Sequence, residues 1–406
     1  MGRAMSIRAG STRTALVVGH FCPIPPTHGN RRRLLAFFAW LRTRGWRVVF
    51  VFQPTNIDDP SCLLELAKVV DRCIVTSPPS LSWSSFVAKL PVLWRLNRLS
   101  WGADDVERVC WTTTTAAVRD AVRLYDPLVV ISEYAFFTRV FPSLPARVLK
   151  VVDTMEVFQR DAAERRRAGF PTEFSAKSET RALNRADVLI AIQKHDARAL
   201  LAVAPTKCVV TVEHYSVDLL PRSPQVDTGV ILYVASSNEY NRHGLAMFLA
   251  HAWQPILDAY PEATLHVIGS LTQDSVGARE AVVFEGMVAD TRELGRRYAS
   301  AHLVVNPQVS GTGLKIKSVE AISAGCAVVM NAAGADGIEE GIGRAFLVAA
   351  DWKEFARHVL RILTDDAFRL ELERGASLFA VQRFSADRVF REFAAVLEQH
   401  EASGGT

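Results

Sequence analysis

The sequence predicts an α/β fold with two doubly wound parallel sheets, and three observations lead to this prediction. Short runs rich in Val, Ile and Leu alternate with helix-like segments along most of the 406 residues. A segment rich in Pro, Ser and Gln near residue 223 interrupts this alternation, which then starts again. The length is sufficient for two or three domains that each bury a core. We therefore predict two Rossmann-like domains that face each other across a cleft.

The predicted organisation has five parts. Residues 1–12 are expected to be a disordered lead-in, residues 13–218 the first domain and residues 219–228 a linker. Residues 229–383 are predicted to form the second domain, and residues 384–406 a C-terminal helix and tail that cross back to the first domain.

Composition excludes several classes of protein. A hydrophobic content of 49% and a charged content of 22% are typical of globular proteins. The formal net charge of +4 is too small to indicate a nucleic-acid partner. Because the sequence has neither an apolar signal segment nor a run of eighteen apolar residues, we expect a cytoplasmic protein. Its six cysteines are scattered, which predicts free thiols and no metal site.

Residues 83–101 combine tryptophans with arginines on a helical pattern that Pro91 interrupts. Aromatic and basic residues suit lipid headgroups, so this segment is one candidate for a peripheral contact with the inner membrane. A packing helix broken at Pro91 explains the same pattern, because amphipathicity alone does not discriminate between the two. Both interpretations stay open.

The most informative stretch is residues 310–325, which lies between two apolar runs. A short strand leads into a glycine-containing loop, and a helix is predicted to begin near Leu314. Such a loop directs unpaired backbone N–H groups and the positive end of a helix towards one point, which suits a phosphate. Lys315 and Lys317 add positive charge, and the acceptor-only side chain of Glu320 suits the vicinal hydroxyls of a ribose. This stretch therefore predicts a site for a nucleoside diphosphate.

Two segments of the first domain are candidates for the opposite wall of the cleft. Gly29 ends the loop after the first predicted strand, where open α/β sheets bind ligands, although a plain glycine turn explains it as well. Asp153 and Glu156 follow another strand and would lie at the same edge of the sheet. Glu156 also suits the first turn of a helix, where the helix dipole favours an acidic residue. The two interpretations of Glu156 carry equal weight.

Other chemistries are poorly supported by the motifs. The sequence lacks the G-x-S-x-G motif of serine hydrolases and the Walker A motif, and its first βα loop lacks G-x-G-x-x-G. A nucleotide-activated donor on the second domain and an acceptor on the first domain fit the remaining candidates best.

The C-terminal half resembles the family 4 glycosyltransferases, which are retaining enzymes of the GT-B fold. The residues that carry the resemblance are Gly311-Thr312-Gly313-Leu314-Lys315-Ile316-Lys317, Glu320-Ala321, Gly325, Gly334, Gly337 and Asn241 through Gly244. The resemblance implies transfer of a sugar from a nucleoside-diphosphate donor to a hydroxyl of a glycan, lipid-linked or small-molecule acceptor. It also implies retained anomeric configuration, no required cofactor or metal, and a role in cell-surface glycan or natural-product synthesis.

The resemblance also implies roles for individual residues. Glu320 matches the second glutamate of the family's E-x7-E motif and would bind the donor ribose. Gly313 and Leu314 would offer backbone N–H groups to the diphosphate, with Lys315 or Lys317 beside them.

Further roles follow for residues outside that loop. Gly29 would touch the diphosphate from the first domain, and Arg242 or His243 stands near the family's basic phosphate ligands. Asp153, Glu156 and Lys315 are the residues for which we expect catalytic roles.

Three departures from the family pattern leave alternatives open. Thr312 replaces the first glutamate of E-x7-E, Met155 replaces a histidine, and Asn241-Arg242-His243-Gly244 replaces the usual Arg and Lys-Gly pair. A nucleotide-sugar 2-epimerase of the same fold is one alternative, which does not depend on these departures and which the resemblance to the transferases disfavours. A non-catalytic GT-B homologue that acts as a binding or partner protein is the other.

Overall fold

A computed structural model of the chain describes residues 13–54, 62–78, 106–160, 162, 174–216, 222–311 and 313–404. The predicted lead-in at residues 1–12, the aromatic segment 83–101 and Thr312 lie outside these described residues. Within them, the predicted α/β fold with two parallel sheets is confirmed.

The first domain is built on a sheet whose described strands number seven, all parallel, in the order β3-β2-β1-β4-β5-β6-β7. The strands are β1 (Thr14–Gly19), β2 (Arg47–Phe52), β3 (Arg72–Val75), β4 (Val129–Glu133), β5 (Leu149–Asp153), β6 (Val188–Ala191) and β7 (Cys208–Thr211). The described helices are α1 (Gly29–Thr43), α2 (Cys62–Val69), α3 (Thr112–Tyr125), α4 (Ala176–Leu183) and α5 (Lys194–Val203). The winding direction reverses between β1 and β4, and such a switch point opens a crevice for ligands at the carboxyl ends of the strands.

The second domain repeats this plan with six described strands, again parallel, in the order β10-β9-β8-β11-β12-β13. The strands are β8 (Asp227–Val234), β9 (Thr264–Ile268), β10 (Val282–Gly286), β11 (Ala301–Asn306), β12 (Val328–Asn331) and β13 (Leu347–Ala349). The helices are α6 (Glu239–Phe248), α7 (Gln254–Ala259), α8 (Thr291–Ser300), α9 (Ile316–Ser323), α10 (Trp352–Thr364) and α11 (Asp366–Arg383). Here the switch point lies between β8 and β11, so the loops after these two strands adjoin.

Each sheet is buried on both faces, which explains the continuous apolar runs of its strands. In β1, Ala15 and Val17 pack into one hydrophobic core, whereas Leu16 and Val18 pack into the core on the opposite face. All four side chains are fully buried. A strand with this pattern cannot lie at a solvated surface, and β1 accordingly lies inside the sheet with β2 and β4 beside it.

The C-terminal segment returns to the first domain, as predicted, but as two helices, α12 (Ala386–Val389) and α13 (Arg391–Ala402). Phe390 lies between the two helices and stacks on Trp40 of α1 with ring centroids 4.3 Å apart. Phe393 is fully buried in the same core. Burial of side chains of this size stabilises by about 1.5–3 kcal/mol each, so this aromatic contact ties the end of the chain to the first domain.

The polar stretch at residues 236–244 predicts a loop before a helix that begins at Leu245, but this prediction is wrong in its second half, because α6 begins at Glu239. Asn238 provides the cap, since its side-chain oxygen accepts a hydrogen bond of 2.8 Å from the N–H of Asn241. Arg242 and His243 therefore lie on a helix.

The apolar spacing over residues 245–260 predicts one continuous helix, which is interrupted in the structure. A π-helical turn, Leu249–Trp253, separates α6 from α7, and Pro255 lies in the first turn of α7. Proline has no N–H to donate to the preceding turn, which is consistent with the wider turn there.

Part of the predicted linker is described and is bound to the second domain. Arg222 donates hydrogen bonds to the carboxylate of Glu373, at 2.6 and 3.0 Å, and to the carbonyl of Tyr298 at 3.0 Å. Strand β8 begins at Asp227.

We expect Phe393→Ala to lower the free energy of unfolding by about 3–5 kcal/mol, because it leaves a cavity in a fully buried core. Chemical denaturation followed by circular dichroism measures the change. The control is Leu378→Ala on α11, where the side chain is exposed and the change should stay within about 0.5 kcal/mol. If Phe393→Ala were as stable as the unsubstituted protein, α13 would not pack as described.

Candidate functional site

A cavity of about 310 Å³ lies in the cleft between the two domains. Its first-domain wall is formed by the start of α1 and the loop before it, by Tyr134 after β4, and by Met155 and Glu156 after β5. Its second-domain wall is formed by the loops after β8, β9 and β11 and by the first turn of α9. The cavity therefore lies where the carboxyl ends of the strands in both sheets face each other, as expected for ligand sites in open α/β sheets.

The glycine loop before α9 forms the second-domain side of this cavity. Gly311 and Gly313 have φ angles of +99° and +81°, a left-handed conformation that is costly for other residues. The Lys315 ammonium donates hydrogen bonds to the carbonyl oxygens of Gly311, at 3.1 Å, and Gly313, at 2.6 Å. Lys315 therefore holds the loop closed, and α9 begins after it at Ile316, two residues later than predicted. The first N–H groups of α9 have no acceptor within the helix.

Lys317 is the second lysine at the cavity wall, and it is half-buried in the first turn of α9. Its ammonium donates a hydrogen bond to the side-chain oxygen of Asn241 and lies 5.0 Å from the centroid of the Tyr233 ring. Burial, with the nearby charge of Lys315, lowers the pKa of Lys317 to about 7. An anion that entered the cavity would therefore favour protonation of this amine.

Glu320 is 4% exposed and lies behind the cavity wall. Its carboxylate accepts a hydrogen bond from the guanidinium of Arg32, across the cleft, and one of 3.3 Å from the hydroxyl of Tyr298. Nε2 of the buried His214 lies 3.9 Å from the other carboxylate oxygen. Burial raises the pKa of Glu320, an effect that the charge of Arg32 opposes. Glu320 is thus held by groups from both domains.

Asp153 is fully buried and does not line the cavity. Arg33 binds it in a bidentate manner, with N–O distances of 3.0 and 2.7 Å, and also donates to the carbonyl of Val212 at 2.9 Å. Glu133, the partner of Asp153 in the adjacent strand, is buried as well. Burial, reinforced by the charge of Asp153, holds the pKa of Glu133 well above its usual range.

Gly29, Met155 and Glu156 bring the first domain close to the glycine loop. A Cβ atom on Gly29 would lie 3.0 Å from Cδ1 of Ile316, so the Ile316 side chain would have to shift slightly to accommodate a larger residue here. Met155 has a φ angle of +35°, which is strained for a residue other than glycine. Glu156 is half-buried and lines the cavity.

The structure therefore separates the predicted site residues into two groups. Those that line the cavity are Gly29, Glu156, Gly313, Leu314, Lys315 and Lys317. Asp153 and Glu320 are buried outside its lining, and Arg242 and His243 are exposed on α6, also outside it.

Several residues of the cleft were not predicted from the sequence. Arg32 and Arg33 stand three and four positions after Gly29, which on a helix places them on the same face. This spacing could have predicted that both arginines lie in the cleft beside Gly29. Tyr134 and His214 had no comparable signal, because both follow strands without a surrounding motif.

A second polar contact joins the domains beside the cavity. Asp336 accepts hydrogen bonds from Arg160 at 2.9 Å, Gln193 at 3.0 Å and His195 at 2.9 Å. His195, Asp336 and Glu339 have ligand atoms close enough for a metal ion, in the part of the chain that the structure describes. The guanidinium on Asp336 opposes a cation there, so we regard this cluster as an interdomain contact.

Residues 228–365, which form most of the second domain, match the family model described as glycosyl transferases group 1. The second domain is therefore similar to a group 1 glycosyl transferase domain. A protein of Klebsiella pneumoniae, described as an uncharacterized 44.6 kDa protein in the cps region, is 22% identical over 158 residues. That match covers 37% of this chain and 41% of the relative.

Solved structures resemble the whole chain and show that its fold is GT-B. Sucrose-phosphate synthase from Thermosynechococcus elongatus has a TM-score of 0.69 at 16% identity, over 96% of this chain and 100% of that one. Anabaena HepE, in complex with UDP and glucose, has a TM-score of 0.67 at 14% identity, over 95% and 100%. The pneumococcal O-GlcNAc transferase GtfA, in complex with UDP and GlcNAc, has a TM-score of 0.68 at 11% identity, over 96% and 99%.

The described helices include none that is both long and apolar enough to cross a membrane.

We expect Asp153→Asn to lower the free energy of unfolding by about 3–5 kcal/mol, because the buried guanidinium of Arg33 loses its counter-charge. Denaturant titration measures the effect. The exposed pair of Asp120 and Arg123 provides the control, since Asp120→Asn should change stability by less than about 1 kcal/mol. Equal effects of the two substitutions would mean that the Asp153–Arg33 pair does not support the first domain.

Proposed function

We propose that this protein is a glycosyltransferase that moves a sugar from a nucleoside-diphosphate donor to an acceptor hydroxyl, with retention of the anomeric configuration. The observation that carries the proposal is the cavity between two Rossmann-like domains, into which the glycine loop, Lys317 and the start of α9 project. The match of the second domain to group 1 glycosyl transferases supports the same conclusion. The second domain would bind the donor, and the first domain the acceptor.

The diphosphate would lie at the glycine loop. Backbone N–H groups of Gly313 and Leu314 would donate to it, and the ammonium of Lys317 would supply a positive charge. Lys315 would act mainly through the loop that it holds in place, and Gly29 would approach the diphosphate from the first domain. Arg242 and His243, which the family pattern suggested, are less suited because they lie outside the cavity lining.

Glu320 would bind the ribose hydroxyls, and Glu156 would bind the acceptor.

In the transfer step the bond between the anomeric carbon and the diphosphate oxygen breaks, and the oxygen takes the electron pair. The acceptor oxygen forms the new bond on the same face, and its proton passes to the departing diphosphate. Asp153, which is buried, would act as a positioning residue through Arg33.

Charge develops on the diphosphate as this bond breaks, and fixed cations and amides lower the barrier because they need no reorganisation. Lys317 and the loop amides can fill this role, so we propose that no metal or other cofactor is required. Thr312, which lies outside the described residues, would contact the donor from the same loop.

A role in cell-surface glycan synthesis is the biological setting that we favour, with a glycan or a lipid-linked molecule as acceptor. The relative in the Klebsiella cps region supports this setting, and the UDP complexes of the structural neighbours make UDP-sugars the first donors to test. The protein would work in the cytoplasm, with a peripheral contact to the inner membrane through residues 83–101.

One observation favours a second candidate, a binding protein without turnover. Met155, at the position where the family carries a histidine, lines the cavity and cannot hydrogen-bond a donor sugar as an imidazole does. An assay for release of the nucleoside diphosphate from nucleotide sugars, with cell lipid extract as the source of acceptors, separates the candidates. Release shows transfer or hydrolysis, whereas tight donor binding without release favours the binding protein.

We expect Glu320→Gln to weaken binding of UDP by about 10- to 100-fold, because a neutral amide binds ribose hydroxyls less strongly than a carboxylate does. Isothermal titration calorimetry measures the affinity, after a thermal-shift panel of UDP, GDP and ADP has identified the base. Glu371→Gln, at an exposed position of α11, is the control and should bind as the unsubstituted protein does. Unchanged affinity in Glu320→Gln for every nucleotide would refute the ribose role.

We also expect UDP affinity to fall as the pH rises above about 7. The pKa of Lys317 in the free protein is lowered to about 7, so the amine is charged below this pH and becomes neutral above it. A bound diphosphate restores the charge, so binding above pH 7 takes up a proton and weakens by up to about tenfold per pH unit. Calorimetry in two buffers of different ionisation enthalpy measures this proton uptake.

Lys317→Arg is the matched variant for the pH experiment, because arginine stays charged over this range. Its affinity for UDP should not depend on pH between about 7 and 9. A flat profile in the unsubstituted protein, without proton uptake, would contradict the role of Lys317.

A further inference from the structure

Arg32 reaches the donor side of the cleft from the opposite domain. It lies in the first turn of α1, three residues after Gly29, and it lines the cavity. Its Nε donates a hydrogen bond of 2.8 Å to the carbonyl of Pro26, and its terminal Nη1 contacts the carboxylate of Glu320. The Nε of Arg32 is therefore held by the first domain, whereas its Nη1 contacts the second domain.

The contact brings a cation against the carboxylate that we propose for the ribose. The side chains of Arg32 and Glu320 are only 12% and 5% exposed, so the pair is largely removed from water. A ribose that donates its hydroxyls to Glu320 would compete for the same carboxylate oxygens. When the donor binds, Arg32 must therefore share its partner or exchange it for another anion.

Two of the other cations at the cavity have partners that a diphosphate would not replace. Arg33 forms a bidentate ion pair with Asp153, and Lys315 donates hydrogen bonds to the carbonyl oxygens of the glycine loop. Lys317 contributes one charge at most. A diphosphate with more than one negative charge therefore requires a further cation, and Arg32 is the one whose present partner would itself be taken up by the donor.

We propose that Arg32 binds the diphosphate of the donor across the cleft, and that Glu320 is the partner of Arg32 only while the site holds no donor. This inference rests on the proposed function. A guanidinium is always charged and its forked donors match two phosphate oxygens, so Arg32 is chemically suited to the leaving group. Because Arg32 belongs to the first domain, the leaving group would be fully stabilised only when the cleft is closed. Donor cleavage would thus depend on contact between the domains.

The test compares a nucleoside diphosphate with its nucleoside, because the two differ only in the group that Arg32 would contact. Calorimetry gives the affinities of the full-length protein for UDP and uridine, and for the GDP–guanosine and ADP–adenosine pairs if UDP does not bind. We expect Arg32→Gln to weaken diphosphate binding by about 10- to 100-fold, while nucleoside affinity stays equal or rises as Glu320 becomes available. Arg32→Lys, which keeps one charge, should restore part of the loss.

Arg31→Gln is the matched control, since it removes the same charge one residue earlier on α1 and Arg31 does not line the cavity. It should leave both affinities unchanged, and thermal unfolding checks that each variant is folded. If Arg32→Gln strengthened diphosphate and nucleoside binding equally, or altered neither, Arg32 would not be a diphosphate ligand and the inference would be overturned. If the unsubstituted protein bound no nucleoside diphosphate, the proposed function would fail and this inference with it.

Discussion

A charged side chain that is buried needs a partner of opposite charge, and the arrangement of this cleft depends on such ion pairs. Burial of an unpaired charged group costs on the order of several kcal/mol of folding free energy, because the group loses its hydration. Arg33 with Asp153, Arg32 with Glu320, and Arg160 with Asp336 all satisfy the requirement. The second and third pairs each take one partner from each domain. The contact between the domains is thus stabilised by charged groups that include the cavity-lining Arg32.

These pairs differ in what a substrate could change. In the pair of Arg33 and Asp153, Arg33 lines the cavity and Asp153 lies behind it, and the bidentate geometry makes the pair a fixed support for the carboxyl-terminal end of β5. The pair of Arg32 and Glu320 joins a cavity-lining cation to a carboxylate suited to hydroxyl groups. Under the proposed function, it is the pair that an incoming nucleotide would rearrange. When ion pairs between two domains also form part of a binding site, a ligand that breaks such a pair changes how strongly the domains hold together. Ligand binding and domain closure are then coupled without a separate lid or hinge element.

The apolar pattern of the sequence was sufficient to predict the parallel α/β sheets. Runs such as Ala15–Val18 are apolar at every position, which is only stable in a strand covered on both faces, and this requirement leads to a parallel α/β sheet. The start of α6 was placed too late, because the cap formed by Asn238 and Asn241 outweighed the polar character of the segment. The C-terminal helix was correctly expected to return, but in the structure it is divided at Phe390, whose ring stacks on Trp40, a contact that no local pattern contains.

For the candidate site, the sequence by itself determined the glycine loop, its two lysines and the glutamate one turn later, because these groups lie close together along one short stretch of the chain. Only the tertiary structure decided how these groups are used. It placed Lys315 on the loop carbonyls and Lys317 at the cavity wall, and it placed Arg242 and His243 outside that wall. It also brought Arg32 to Glu320, residues that are 288 positions apart in the chain. The physical reason is that charge pairing depends on distance in space, and sequence patterns report only the neighbours along one element.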